Sequence, residues 1–306
     1  MSFKVIGIGE VLWDLLPSGP QPGGAPANFA CHARQLGAGA QVITRVGNDG
    51  YGRKILEHLQ EMGIRNGTVQ VDDRLPTGTA TVALDDSGLP QFTIQDNVAW
   101  DALSCTDAAL EAVQRANAVC FGTLAQRSRG AAAAIRQLLA AAPPSSLRVL
   151  DVNLRQGFYS REVIVESLKR ADVFKLNDHE LAVLSPLLEL IGSPRQRIEQ
   201  LVRQFDLQVV ALTRGEQGSL LHQAGRWSDS PGSRIDVVDT VGAGDAFTAA
   251  LVLGLLNRCR LEDIHRAAVD VASFVCSRAG ATPVLPDRLR TVFASNFTSA
   301  YEARES

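Results

Sequence analysis

The sequence predicts an open α/β fold: a mostly parallel sheet with helices on both faces. Six short apolar runs (FKVIGIG, AQVITRVG, NAVCFGTL, LRVLDVNL, ADVFKLN and LQVVALT) are rich in Val, Ile and Leu and read as strands buried on both sides. Helical segments lie between them: PANFACHARQLG, GRKILEHLQEMG, TDAALEAVQRA, GAAAAIRQLLAAA, SREVIVESLKRA and PRQRIEQLVRQF. This alternation covers most of the 306 residues, the pattern of parallel strands joined by crossover helices. Gly37 and Gly63 stand where two of the helices should be capped at their C-termini. Ligands of such sheets bind in the crevice beyond the carboxyl ends of the strands.

Composition fits one large domain over residues 1–306, since 45% hydrophobic content is ample for a buried core. A net charge of −3 gives no electrostatic reason to expect nucleic acid or a membrane surface as partner. The five cysteines (Cys31, Cys105, Cys120, Cys259 and Cys276) are scattered through apolar runs, which predicts reduced, buried thiols rather than disulfides or a zinc site. Met1 leads directly into FKVIGIG with no basic, apolar leader, and no run approaches the ~20 apolar residues of a membrane helix. A cytoplasmic protein is expected.

One region breaks the alternation. VLWDLLP (residues 11–17) and TGTATVALDDSGLPQFTIQ (residues 77–95) read as antiparallel strands, with Asp86-Ser87-Gly88 as a hairpin turn. Together they predict a small sheet, from about residues 11–22 and 75–100, placed as a lid that would exclude water from the crevice.

Two nucleotide-binding patterns are excluded. Gly7-Ile8-Gly9-Glu10-Val11-Leu12 opens like a dinucleotide fingerprint, but it lacks the third glycine and runs into a strand where a helix should begin. No GxxxxGK[ST] phosphate loop occurs.

The most informative stretch is DTVGAGDAFTAAL, residues 239–251. Gly242 and Gly244 let the backbone bend so that N–H groups converge, and the apolar helix that follows adds unpaired N–H groups and the positive end of its dipole. Asp245 stands where that helix begins, either as a cap or as a base beside an anion.

DTVGAGDAFTAALV resembles the C-terminal signature of the ribokinase-like (PfkB) carbohydrate kinases, and GGAPANFA resembles their N-terminal sugar-binding element. RVGNDGYG, NDHE and TRGEQG look like further family landmarks in the family's order, and GEVLWDLLP followed by GGAPANFA is most similar to the bacterial fructokinase branch. The resemblance implies a ribokinase-like three-layer α/β/α sandwich with a mostly parallel central sheet and a small β-sheet lid. It implies ATP-dependent phosphorylation of a sugar hydroxyl, fructose before 2-keto-3-deoxygluconate, with ribokinase or nucleoside kinase next. An inactive sugar-binding regulatory protein is the non-enzyme alternative.

Carried onto matching positions, Asp245 would be the general base, and the N–H groups of Gly242, Ala243 and Gly244 the anion hole. Asp14, Gly24 and Asn28 would hold the sugar. Arg155, in DVNLRQG at a strand end, would contact phosphate or a substrate carboxylate. Asn177, Thr213, Gly215 and Gly218 would serve the ATP site, and Glu180 Mg²⁺ through water. Asp239 and the Val241 carbonyl match the first part of a monovalent-cation (K⁺) site, whose remainder SRAGATPVLP matches loosely. Phe92, Trp100 and Phe158 are candidate pocket aromatics, and His179 is expected to be exposed. The family often dimerises through the lid, so a homodimer there is an implied partner.

Overall fold

The computed structural model describes residues 2–17, 19–84, 90–232 and 235–293, with the backbone alone at 82–84 and 90–92. In chain order come β1 (Lys4–Ile8), β2 (Leu12–Leu16), β3 (Gly19–Gly23), α1 (Ala25–Gln35), β4 (Gly39–Gly47), α2 (Gly50–Glu61), β5 (Val69–Asp72), β6 (Gly78–Leu84) and β7 (Pro90–Ile94). Then follow α3 (Asp107–Val113), β8 (Ala118–Phe121), α4 (Arg129–Ala141), β9 (Leu147–Asp151), α5 (Arg161–Leu168), β10 (Val173–Asn177), α6 (Asp178–Leu187) and α7 (Pro194–Phe205). The chain continues through β11 (Val209–Thr213), β12 (Ser219–Gln223), β13 (Arg226–Ser230), α8 (Ala243–Leu256), α9 (Leu261–Cys276) and α10 (Asp287–Arg290).

Nine strands form the main sheet in the order β13-β12-β11-β10-β9-β8-β1-β4-β5. All neighbours from β11 to β5 are parallel, and only β12 runs against them, pairing antiparallel with both β11 and β13. This is the ribokinase-like α/β fold. Alternate residues of each buried strand face opposite layers. Ile6, Ile8, Val119, Phe121, Leu150, Phe174, Val210 and Leu212 join one core with residues of α3 to α7. Val5, Val42, Cys120, Val149, Val173, Val209 and Ala211 join the other, with residues of α1, α2, α8, α9 and α10. The period-2 alternation inside each apolar run therefore feeds two cores rather than one core and solvent.

A separate four-stranded sheet has the order β3-β2-β6-β7. Its two hairpins, β2–β3 and β6–β7, are antiparallel, the second as expected and the first not read from the sequence, but β2 pairs with β6 in parallel. That corrects the all-antiparallel expectation: β2 and β6 both leave the main sheet in the same direction, so neither can fold back on the other. The Asp86-Ser87-Gly88 turn lies outside the described residues.

Two clamps hold this sheet to the body. Asp49 caps α2 by accepting from Gly52 N (2.7 Å), and accepts from Thr77 N and Thr77 Oγ1 (both 2.8 Å) at the entrance to β6. Arg127 donates to both oxygens of Asp101 (2.7 and 2.8 Å) and to the Gln95 carbonyl (2.6 Å) just after β7. Its guanidinium lies over Trp100 (3.9 Å) and Phe158 (4.7 Å). Trp100 is fully buried, which makes it core and not a pocket wall, and Phe158 is half-buried beneath the same arginine. The Phe92 side chain lies outside the described residues. Among the cysteines only Cys31 and Cys120 are buried; the other three are half-buried and free. Among the described residues no helix is long and apolar enough to cross a membrane.

Candidate active site

The site lies at the carboxyl ends of β1, β8, β9, β10 and β11, where it meets the N-termini of α1 and α8. Gly242 caps α8 in a left-handed conformation (φ 77°), and a Cβ there would run into the Ala281 carbonyl. Only glycine lets the chain turn so sharply while lying against the 279–282 segment. Gly244 has ordinary helical geometry, which corrects the idea that it bends the backbone. Its lack of a side chain is a matter of space, because a Cβ there would lie 2.8 Å from Lys175 Nζ.

Asp245, in the first turn of α8, accepts a 2.8 Å hydrogen bond from Asn28 Nδ2 on α1. Burial first, then the nearby Asp151 charge, raises the Asp245 carboxyl to about 7, against the pull of Lys175, the Asn28 hydrogen bond and Arg155. A carboxyl so placed is half-ionised near neutrality, the condition that suits a general base. Gly24 caps α1 at φ 114°, and a Cβ on it would press on the backbone of Glu10 and Val11. Asp14 stands on β2, with burial raising its carboxyl to about 6 while Arg155 opposes that rise.

Arg155 is exposed in a loop turned by two left-handed residues, Asn153 and Gln156. Among the described residues it forms no ion pair, and its guanidinium acts electrostatically on Glu10, Asp14 and Asp245 together.

Asp239 accepts from Val241 N (3.0 Å) and from Gly280 N (3.1 Å), so the turn before α8 and the SRAGATPVLP loop are brought together. His32 of α1 bonds the Ala281 carbonyl (2.9 Å), and Gln35 of α1 bonds both Pro283 O and Leu285 N (3.2 and 2.8 Å), which fixes that loop against α1.

The chain matches the pfkB family carbohydrate kinases over residues 19–288. It belongs to the PfkB family of carbohydrate kinases. An uncharacterized sugar kinase of Pyrococcus horikoshii is 30% identical over 271 residues, 83% of each chain, and its structure in complex with ATP superposes with a TM-score of 0.78 at 27% identity, covering 94% of this chain and 99% of that one. A fructokinase of Klebsiella pneumoniae is 29% identical across 94% of this chain and 97% of its own. At the level of fold alone, a 2-dehydro-3-deoxygluconokinase of Thermotoga maritima superposes with a TM-score of 0.83 at 19% identity over 96% and 99% of the two chains.

Elsewhere in this PfkB chain, Asn177 and Thr213 are register partners at the ends of β10 and β11. Gly215 and Gly218, both at positive φ, form the tight turn into β12, and a side chain at Gly218 would strike the backbone of 230–232. Glu180 is buried rather than solvated. It forms a reciprocal capping box with Asn177 (2.7 and 2.8 Å), and its other oxygen accepts from Leu154 N (3.0 Å), beside Arg155. Burial raises its carboxyl, with Lys175 opposing. Among the described residues no three His, Cys, Asp or Glu converge at metal-binding distance. Such a donor set suits a magnesium ion carried mainly by nucleotide phosphates and water. His179 is exposed.

Three buried charged neighbours of Asp245 escaped the sequence reading. Glu10, just beyond β1, is buried with Oε2 unpartnered among the described residues, and burial raises it to about 7. Asp151 and Lys175 are joined at 3.0 Å inside the sheet. A signal was present: beyond the charge at its start (Arg148 or Asp172), each of LRVLDVNL and ADVFKLN carries one further charge, Asp151 or Lys175, of opposite sign and deep in the apolar run.

Proposed function

We propose that this carbohydrate kinase transfers the γ-phosphoryl group of ATP to a hydroxyl of fructose, with Asp245 as the base. The hydrogen bond from Asn28 to Asp245 carries this reading, because it joins a sugar-holding residue to a carboxyl raised to about 7 at the N-terminus of α8. A sugar hydroxyl beside Asn28 would lie within reach of that carboxyl, which takes its proton as the oxygen attacks phosphorus in line. The N–H groups of Gly242, Ala243 and Gly244 would stabilise the charge on the transferred group, so no phosphoenzyme is needed. Asp14 and Gly24 would hold the remaining sugar hydroxyls. Asn177, Thr213, Gly215 and Gly218 would line the nucleotide. Magnesium, held by phosphates and water near Glu180, would supply charge neutralisation.

A second reading, a 2-keto-3-deoxygluconate kinase, rests on Arg155 as the reader of a substrate carboxylate. The field favours the neutral sugar, because Arg155 already faces Glu10, Asp14 and Asp245, and a fourth carboxylate would enter against three. The test is ATP-dependent ADP release with Mg²⁺ across fructose, ribose, glucose, 2-keto-3-deoxygluconate and adenosine. Selectivity for fructose supports the proposal, and selectivity for the keto acid overturns it while leaving the base in place. Silence on every acceptor, with sugar binding retained in calorimetry, would make the chain a binding protein.

Two further elements belong to this reading. A potassium ion would use the Val241 carbonyl and the remaining lone pairs of Asp239, and turnover in K⁺ against a tetramethylammonium buffer tests it. The edges of the small sheet, β3 and β7, are the surfaces through which a homodimer would form, and light scattering tests that.

A further inference from the structure

A buried ion pair lies beneath the first turns of α8. Lys175 and Asp151 are register partners on β10 and β9, joined at 3.0 Å, with side chains 9% and 5% exposed. Both lie on the sheet face that carries α8. The second Asp151 oxygen faces the Thr248 hydroxyl at 2.9 Å, one turn along α8, and that hydroxyl also lies 2.9 Å from the Gly244 carbonyl. The Lys175 ammonium fills the space that a Gly244 side chain would take.

A buried ion pair is costly to assemble, and apolar residues of similar volume often serve stability as well or better. Its presence here, under the residues of the anion hole, calls for a reason other than stability. We propose that Lys175 is a positioning residue, its ammonium being both the floor under the anion hole and the counter-charge that keeps Asp245 ionised.

The groups that face Asp245 come from six places. They are Asp151 on β9, Lys175 on β10, Asn28 on α1, Arg155 in the loop after β9, Glu10 beyond β1, and the Cys120 thiol on β8, which burial keeps neutral. Burial and Asp151 raise the Asp245 carboxyl, while Lys175 is foremost among the groups that lower it. Burial alone would discharge Lys175, but Asp151, Glu180 and Asp245 more than offset it and keep the ammonium charged. Asp151 thus anchors the lysine yet repels the base, and the two halves of the pair pull Asp245 in opposite directions.

That opposition supplies a readout which a merely structural pair would not give. The inference rests on Asp245 being the base, so the test has one arm that needs no activity. The Asp245 carboxyl is titrated by NMR in ligand-free protein with ¹³C-labelled aspartate, assigned by loss of its signal in Asp245→Asn. The acid limb of the kcat/KM profile is recorded beside it for any sugar that turns over.

Lys175→Met should raise both the titration midpoint and the acid limb, and Asp151→Asn should lower both, each by about a pH unit or more. Sugar KM should stay near wild type in both, with kcat falling in Lys175→Met. Shifts in the same direction, or no shift in either variant, would overturn the proposal. Should Lys175→Met fail to fold, the isosteric Asp151→Asn decides alone, because a downward shift is required of it. If no sugar is phosphorylated, the kinase reading fails while the NMR titration still judges the pair. If turnover is present and the titrations stay put, the pair fails and the kinase reading stands.

Discussion

Asn28 Nδ2 on α1 donates a 2.8 Å hydrogen bond to Asp245 Oδ2 on α8, across 217 residues of sequence. The two helices pack on the same face of the sheet, with Ala27, Phe29 and Ala30 of α1 in one core with Ala246, Phe247 and Ala249 of α8. In the proposed mechanism the bond links the sugar side of the site to the base. A hydrogen bond to a charged group contributes about 1.5–3 kcal/mol. Asn28→Ala should accordingly raise sugar KM about 10- to 100-fold, and shift the acid limb of kcat upward, because this bond lowers the Asp245 carboxyl. Steady-state kinetics over a pH series check both.

Asp245→Asn should cost about 10²–10⁴ in kcat while calorimetry finds sugar affinity largely intact. In the wild type, activity should rise with pH through about 7 as the carboxyl ionises. Stability should move the other way. The folded-state carboxyl titrates above its usual 3.8, so the native protein binds this proton more tightly than the unfolded chain does. The cost of the buried charge thus grows as pH rises from about 4 and is complete above about 7. Asp245→Asn should therefore melt higher than wild type at pH 8, and the gap should close as pH falls towards 4. A variant that melts lower at pH 8 would contradict the burial of this charge.

Gly242→Ala should remove most turnover while leaving the turn at Gly215 and Gly218, proposed to line the nucleotide, untouched. The left-handed φ of 77° costs a side chain roughly 1–2 kcal/mol by itself, and the contact with the Ala281 carbonyl forces the turn to move. The expected pattern is a large fall in kcat with a small change in ATP Kd, read by stopped-flow binding and steady-state rates. Near-normal kcat would show that the anion hole lies elsewhere.

Arg127 ties the exit of β7 to the body through the Gln95 carbonyl, Asp101 and Trp100. Arg127→Ala leaves the half-buried Asp101 carboxylate with only the Val98 N–H as partner, a loss of about 1–3 kcal/mol. A melting temperature several degrees lower is expected by calorimetry.

The small sheet acts as a lid if sugar slows hydrogen exchange at the amides of β6 and β7 in the wild type. In Arg127→Ala that protection should weaken. Equal exchange with and without sugar would remove the lid from the mechanism.

Much of the fold was legible because strand burial writes itself into composition. A strand such as AVCF (β8) within NAVCFGTL must be apolar at every position to serve two cores, and the helices between the strands carry one apolar stripe each. Gly37 and Gly63 sit at positive φ after α1 and α2, where local chemistry alone placed them. The small sheet was legible as strands but not as pairings. The parallel match of β2 with β6 depends on where both emerge from the main sheet, about 65 residues apart, which no local pattern records.

In the site, the sequence by itself determined the chemical parts: the glycine turn at 242, the carboxylate at 245, the polar Asn28 at a helix start, and an arginine at a strand end. Tertiary structure decided their states. Burial among other carboxylates lifts Asp245 to about 7. Packing turns Glu180 inward to brace the Arg155 loop. Sheet register sets Lys175 against Asp151 under the first turn of α8. A residue's identity is local, but its charge and its partners depend on what the fold brings within a few ångströms and on how much water it removes.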